Sequence, residues 1–385
     1  MIYNKTMKTA LFGGTFNPVH DGHIQMAEYL LSHGYDRVVL APSNNPAYKQ
    51  CDNRFDTRCE MLKIAIRGRE DMQICDLERD RPDDNYSYIT IPLYKERIGE
   101  FDFVIGGDSL IDLGKWKNPY QIISQVKLIV FDRGDRQAEV DEASKFWREK
   151  GADLVVERFV PKDISSTIVR LESRLGLVRN VPIEVAEYIE KNKLYVDKSI
   201  RMEQKLTAKL ADKLKELTGE RTYKHCLRVA YCALKLNSDL KLGLDTDKIL
   251  AAGLLHDCAK RVRHVDDPSI PTDSENTPVY HQFAGSVVAR KEFGIEDDEV
   301  LEAIKYHTTA KPNMTDLDKL IFCADMLEED RDFEGVDELR DIISQDLHQG
   351  FVACMEHQYA YLVNRGGDIY PTTVLAVEYY RDQKR

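Results

Sequence analysis

The chain has 385 residues, with 54 Lys and Arg against 66 Asp and Glu and a formal net charge of −12. That balance excludes a generally basic nucleic-acid-coating protein, while a local basic pocket stays compatible with it. With 43% hydrophobic residues the chain is not a disordered one, and its length suits two domains of roughly 100–200 residues each, or one large one.

The opening residues MIYNKTMKTALFGG hold no long apolar run, so no secretory leader is expected. No apolar stretch reaches the roughly 18 residues that a membrane-spanning helix needs. The eight cysteines form no CxxC pair and read as reduced thiols, so a cytoplasmic protein without membrane or nucleic-acid partners is expected.

The first half alternates short, β-branched-rich runs with amphipathic stretches. TALFGG, RVVLAPS, FDFVIGG, VKLIVFD and ADLVVERF are the predicted strands; HIQMAEYLLSHG and DTRCEMLKIAIRG are predicted helices between them. This βαβα rhythm implies an α/β doubly wound parallel sheet, whose ligands sit at the carboxyl ends of the strands. After about residue 180 the strands stop. VPIEVAEYIEKNKLY closes the α/β part, and everything from KSIRMEQKLTAKLADKLKEL onward is helical in pattern. The junction is placed near Val196–Ser199, which gives domains 1–197 and 198–385.

The block Leu11-Phe-Gly-Gly-Thr-Phe-Asn-Pro-Val-His-Asp-Gly-His23 follows the first strand and enters a helix. Gly13 and Gly14 permit a sharp turn and close approach to a ligand, and the helix N-terminus behind them attracts anions. His20 and His23, three apart in the first turn, can face one phosphate chain. A Gly-Gly after a strand is common, and two histidines can be plain surface residues. The ordered combination of strand, Gly-Gly, Thr15, Pro18 and HxGH outweighs that. Downstream, Ser165, Ser166 and Thr167 can cap a helix whose N–H groups face an anion, with Arg170 one turn on. Taken alone, that segment is an ordinary helix start.

The helical half carries His225 in RTYKHCLRVA, His256-Asp257 at the end of ILAAGLLHD, and Lys260 three residues later. His281 opens HQFAGSVVARKEFG, His307 ends VLEAIKYH, and Asp325 lies in KLIFCADML. These ligand-type residues end or sit in apolar segments, where burial without a partner is costly and shared metal coordination would satisfy all of them. A His/Asp set suits iron, manganese or zinc. A lone buried histidine is more often a hydrogen-bonded core residue; it is the full order H…HD…H…H…D that argues for a metal site. Cys226 and Cys258 read as core, and His264, His348 and His357 as loop or surface residues.

The first block resembles the (T/H)xGH signature of the nucleotidyltransferase superfamily, and Ile164-Ser-Ser-Thr-Ile-Val-Arg170 resembles its ISSTxxR motif. Over about residues 7–196 the resemblance narrows to bacterial nicotinate mononucleotide adenylyltransferases. Such enzymes join ATP, with its Mg2+, to nicotinate mononucleotide and release pyrophosphate. The resemblance implies that His20 and His23 act on the triphosphate. It assigns Gly13, Gly14, Thr15, Arg133, Ser165, Ser166 and Arg170 to ATP, and Lys49, Ser87, Tyr88, Asp108 and Trp116 to the pyridine nucleotide. Two segments depart from the family pattern: Asn45-Pro-Ala-Tyr-Lys49 stands for PPHK, and Ser87-Tyr-Ile-Thr-Ile-Pro-Leu93 for SYTxxTL. The acid and the amide acceptor therefore both stay open.

Residues from about 200 to 385 resemble the HD-domain metal-dependent phosphohydrolases, with His225, His256, Asp257 and Asp325 as the basic ligand set. His281 and His307 add the ligands of a two-metal site. HDCAK, YHTTAKPNM and KLIFCADMLEEDRDFEGVDELR resemble the symmetrical diadenosine tetraphosphatases, which carry two iron ions and release two ADP. Lys260 is the candidate for the catalytic cation, and Arg331 a further candidate for gripping the polyphosphate. A nucleotide sensor, another HD substrate, or another phosphorylated acceptor in the first half are the alternatives.

Overall fold

The computed structural model describes residues 7–44, 54–81, 85–132, 134, 136–159, 164–196, 200, 204–366 and 368–382, the side chains of 204–206 excepted. The chain divides into two compact units, one of Met1–Ser173 with Val178–Val196 and one of Asp197–Arg385 with Arg174–Leu177.

In the first unit, β1 (Thr9–Gly14), α1 (Asp21–Ser32), β2 (Arg37–Pro42), α2 (Phe55–Ala65) and β3 (Met72–Ile74) form one half. The other half runs α3 (Ser87–Ile98), β4 (Asp102–Gly106), α4 (Gly107–Ile111), α5 (Pro119–Gln125), β5 (Leu128–Phe131), α6 (Gln137–Glu149) and β6 (Leu154–Glu157). Then come α7 (Ser166–Arg174) and α8 (Ile183–Lys191). The sheet order is β3-β2-β1-β4-β5-β6, parallel throughout. Successive strand residues feed opposite layers. Ala10, Phe12, Val38, Leu40 and Val104 enter one core, while Leu11, Val39, Phe103, Ile105 and Val130 enter the other. With both faces covered, such strands appear in sequence as unbroken apolar runs, which is why five of them were predictable. The sixth, β3, was not foreseen as a strand. It is a three-residue edge strand, and its central Gln73 is exposed, so it carries no apolar run.

The order reverses between β1 and β4, which places a crevice at their carboxyl ends. There the first functional block lies.

The second unit is helical: α9 (Gln204–Asp239), α10 (Thr246–Leu255), α11 (Tyr280–Phe293), α12 (Asp298–Lys305), α13 (Asp316–Leu327), α14 (Val336–Ile343), α15 (Leu347–Arg365) and α16 (Pro371–Asp382). Gly219, at φ 77° and ψ 170°, interrupts α9. Helix starts carry their own signals: the Asp245 carboxylate accepts the Asp247 and Lys248 N–H groups, and Thr315 and Asp318 form a capping box. Residues Ile249–Leu255 of α10 are all buried, so this helix is central to the unit. Gly253 lets it approach α9 closely, because a Cβ there would stand 2.6 Å from Ala230 Cα. Among the described residues no helix is long and apolar enough to cross a membrane.

Candidate functional site

The first site starts where β1 ends. Gly13 and Gly14 pass beneath aromatic rings: an added Cβ would lie 3.3 Å from the Phe103 ring and 3.1 Å from that of Phe16. A side chain at either position would press on these rings, which would have to give by a few tenths of an ångström. His20 caps α1 and is almost fully buried, its ring stacked on that of His23 at 3.7 Å. The His20 N–H donates to His23 Nδ1 at 3.2 Å. This leaves the proton of a neutral His23 ring on Nε2, where it can be donated to an anion.

The second motif closes on the same loop from more than 140 residues away. Ser166 donates its hydroxyl to the Pro18 carbonyl at 2.9 Å, and Arg170 donates from Nη1 to the Asn17 carbonyl at 2.8 Å. Ser165 Oγ accepts the Ile168 N–H at 3.3 Å, so the expected helix cap is present. Tyr195 fixes the Asn17 side chain at 2.7 Å. From the other side the buried Arg58 donates to the Thr15 carbonyl at 2.5 Å. Arg58 and Tyr195 escape sequence reasoning, since neither lies in either motif.

A cavity of about 200 Å³ adjoins this loop, and Gly13, Gly14, Ser87, Thr90, Trp116 and Glu78 line it. Trp116 and Ser87, which the resemblance assigns to the pyridine nucleotide, thus line the same cavity as the Gly-Gly turn. Tyr88 does not line the cavity but packs against the core layer behind it, and Asp108, in the first turn of α4, also lies outside the lining. Lys49 and Arg133 lie outside the described residues. Glu78 is the unforeseen member. Its buried carboxylate accepts from the Asn44 N–H at 2.9 Å and from the Tyr94 hydroxyl at 3.2 Å, and burial pushes its carboxyl pKa up.

In the helical unit, α9, α10, α11, α12 and α13 bring His225, His256, Asp257, His281, His307 and Asp325 together. The Nε2 atoms of His225 and His256 are 3.3 Å apart, and those of His281 and His307 3.2 Å apart. Asp325 Oδ1 lies 2.9 Å from His225 Nε2 and 3.8 Å from His256 Nε2. Asp257 Oδ1 lies 3.3 Å from His281 Nε2 and 3.6 Å from His307 Nε2. Two overlapping triads, His225–His256–Asp325 and His256–Asp257–His307, therefore share His256, and within each triad the ligand atoms lie within 4.8 Å of one another.

The opposite ring nitrogens fix these orientations. Nδ1 of His256, His281 and His307 faces the carbonyl of Gly253, Pro278 and Ile304, at 2.8, 2.7 and 2.7 Å. His225 Nδ1 instead faces Glu328 Oε1 at 3.1 Å. Each ring is held with Nε2 turned inward, the arrangement typical of metal-ligating histidines. Burial pushes the His256 and His281 imidazoles down, to about 4 and about 3, so both are neutral donors at neutral pH. At His225 burial also disfavours charge, but Asp325 and Glu328 outweigh it and raise its pKa to about 9. Burial alone would raise the Asp257 and Asp325 carboxyls. The neighbouring imidazoles reverse this, aided by Lys260 at the first and Arg331 at the second, and both stay ionised.

These converging imidazoles and carboxylates fit divalent metal binding, as histidine and aspartate donors do. Cys226 and Cys258 take no part: burial pushes both thiols up, and Cys258 Sγ faces the Gly285 carbonyl. Lys260 Nζ reaches Asp257 Oδ1 at 3.2 Å and His281 Nε2 at 3.3 Å. Arg331 Nη2 reaches Asp325 Oδ1 at 2.6 Å. His264 and His348 are exposed as expected, but His357 is a half-buried residue of α15 rather than a loop or surface residue.

A parallel sheet with a histidine-bearing helix start at its switch point, joined to a helical unit with a His/Asp metal centre, defines a nucleotidyltransferase-type fold followed by an HD domain. Residues 11–172 match the cytidylyltransferase-like family and residues 222–330 the HD domain family. A probable nicotinate-nucleotide adenylyltransferase of Clostridium acetobutylicum is 36% identical over 49% of this chain and 99% of its own length. A probable nicotinate-nucleotide adenylyltransferase/Ap4A hydrolase of Mycoplasma genitalium is 26% identical over 91% of this chain and 97% of its own. A crystal structure of a predicted HD superfamily hydrolase involved in NAD metabolism, also from Clostridium acetobutylicum, covers 46% of this chain and 97% of its own at 33% identity and a TM-score of 0.40. The chain belongs to the nicotinate-nucleotide adenylyltransferase family, in the form that carries an HD hydrolase domain behind the transferase.

Proposed function

We propose that the chain catalyses two reactions in the cytoplasm, one in each unit. In the first, a phosphate oxygen of nicotinate mononucleotide attacks the α-phosphorus of Mg2+-bound ATP. A new P–O bond forms, the bond to the β-phosphate oxygen breaks, and deamido-NAD and pyrophosphate are the products. In the second, water cleaves diadenosine tetraphosphate at its centre to two ADP.

What carries the first reading is the convergence of HxGH and SSTxxR on residues 17–18 at the switch point. His20 and His23 donate to the triphosphate oxygens and offset the charge that grows as pyrophosphate leaves. Ser165, Ser166 and the Gly13–Gly14 backbone, with Thr15, shape the phosphate cradle. Arg170 holds the loop and adds positive charge, and Arg133 contacts ATP. Trp116 stacks on the pyridine ring, while Ser87 and Tyr88 contact its carboxylate, and Lys49 and Asp108 hold the mononucleotide. Nearly all of the rate enhancement is positioning and charge stabilisation.

What carries the second reading is the inward convergence of the imidazole Nε2 atoms on two carboxylates. His225, His256, Asp257, His281, His307 and Asp325 hold two metal ions, iron by preference. Bound metals supply an activated water and polarise the phosphoryl oxygens. Lys260 and Arg331, at opposite carboxylates, grip the phosphate chain as negative charge accumulates.

The test is a product assay on the full chain with metal content measured on the same sample. ATP with nicotinate mononucleotide should give deamido-NAD faster than the amide analogue gives NAD, and diadenosine tetraphosphate should give ADP alone. An amide preference sinks the first assignment. Nucleotide binding without hydrolysis, at a site that takes up no metal, sinks the second in favour of a sensor.

A further inference from the structure

His281 lies at the start of α11 and His307 just past the end of α12, yet their Nε2 atoms stand 3.2 Å apart. The carbonyls behind them, of Pro278 and Ile304, each belong to the ring's own segment. Those bonds orient the rings without tying one segment to the other. Gln282, the residue after His281, makes that tie. Its side chain is fully buried. Oε1 accepts the Thr308 N–H at 3.0 Å and the Thr309 N–H at 3.1 Å, and Nε2 donates to Thr309 Oγ1 at 2.9 Å. All three bonds go to the turn that follows His307.

That turn needs holding. Ala310, at its end, is buried with φ 58°, a left-handed conformation that a residue with a Cβ keeps only where its surroundings over-determine it. Gln358 of α15 adds a second hold, donating from Nε2 to the Thr308 carbonyl at 3.1 Å. Thr308 Oγ1 in turn lies 3.3 Å from His281 Nε2, so the turn and both imidazoles form one polar cluster. The other half of the centre has different supports: His225, His256 and Asp325 come from α9, α10 and α13, with Glu328 behind His225.

We propose that Gln282 is a positioning residue for one of the two metal ions. By clasping the turn after His307 to the start of α11, it sets the separation of His281 and His307. Metal binding on the His281–His307 side depends on that clasp, and binding on the His225–Asp325 side does not. This rests on the two-metal reading of the helical unit. It adds that the two positions are held by separate supports and can be emptied one at a time.

The test is a titration of the metal-free full chain with Mn2+, in which bound ions are counted and their electron paramagnetic spectrum is recorded. The unsubstituted chain should hold two ions that couple magnetically. Gln282→Met keeps the side-chain length and loses the carboxamide. It should bind the second ion about 10–100-fold more weakly, and the ion it retains should give the spectrum of an isolated Mn2+. Gln282→Glu still accepts both N–H groups and should restore the coupled pair. Gly294→Ala, at the far end of α11, controls for lost stability and should keep both ions. Two ions at unchanged affinity in Gln282→Met overturn the proposal, as does an equal loss of metal in Gly294→Ala. Fewer than two ions in the unsubstituted chain refute the two-metal reading itself, and the proposal with it. Should Gln282→Met not fold, Thr309→Val, which removes only the hydroxyl that Gln282 Nε2 reaches, should weaken the second ion; unchanged affinity there overturns the proposal.

Discussion

Glu328 does for His225 what backbone carbonyls do for the other three metal-site imidazoles. A carbonyl only orients a ring, whereas a carboxylate also makes it a stronger electron donor to a metal. Glu328 is itself fixed, since its Oε2 accepts from Arg228 Nε at 2.9 Å and from the Asp330 N–H at 2.7 Å. Glu328→Gln keeps the shape and one accepting oxygen while removing the charge. Metal affinity should fall by about 10–100-fold, measured as metal retained against a graded chelator. The metal-loaded protein should lose thermal stability and the metal-free protein should not. Equal losses in both forms would show a purely structural role. Sequence reasoning could reach Asp325 through the order of histidines and aspartates. It could not reach Glu328, which stands in the acidic run Glu328-Glu-Asp330 and looks like solvated charge until α13 is seen to bury it. Glu78 was hidden in the same way, as one acid among the charges of Glu78-Arg-Asp-Arg81.

At the scale of elements, the metal centre depends on how closely α10 packs on α9. His256 follows the last turn of α10 and His225 lies on α9, so the distance between these helices sets the 3.3 Å between their Nε2 atoms. Gly253 makes that approach possible, with Ala230 opposite. In Gly253→Ala the new methyl group would meet backbone, which cannot swing aside as a side chain can. Such overpacking costs about 1–3 kcal/mol, visible as a lower denaturation midpoint at unchanged slope. Spreading the helices should also reduce bound metal, whereas Gly294→Ala, at an open helix end with φ 69°, should lower stability without lowering metal content. Full metal occupancy in Gly253→Ala would separate the helix contact from the site. Elements of this kind were legible where burial was complete. The strands with two covered faces and the apolar run Ile249–Leu255 of α10 announce themselves, while β3 and the kink at Gly219 do not. A three-residue edge and a single positive φ leave too little pattern to detect.

At the scale of the whole molecule, a net charge of −12 coexists with two sites for highly anionic substrates. Each site solves this locally. The first places imidazoles on the start of α1 with Arg170 of α7 donating to the loop before it, and the second concentrates imidazoles, Lys260 and Arg331 around the carboxylates of Asp257 and Asp325. The sheet unit has its own paired core layers, and the helical unit its own buried centre on α10. Every contact cited for either site is made within its own unit, so the two chemistries should be separable. His20→Ala removes a charge-stabilising donor and should cut kcat for adenylyl transfer by about 10²–10³, with diadenosine tetraphosphate hydrolysis unchanged. His256→Ala removes the ligand shared by both triads and should abolish metal uptake and hydrolysis, leaving adenylyl transfer at its original rate. Both activities are to be followed on the same preparations, with circular dichroism confirming the fold. If either substitution in a folded chain silences both reactions, the units are coupled in catalysis, and local chemistry alone does not explain why they share one chain.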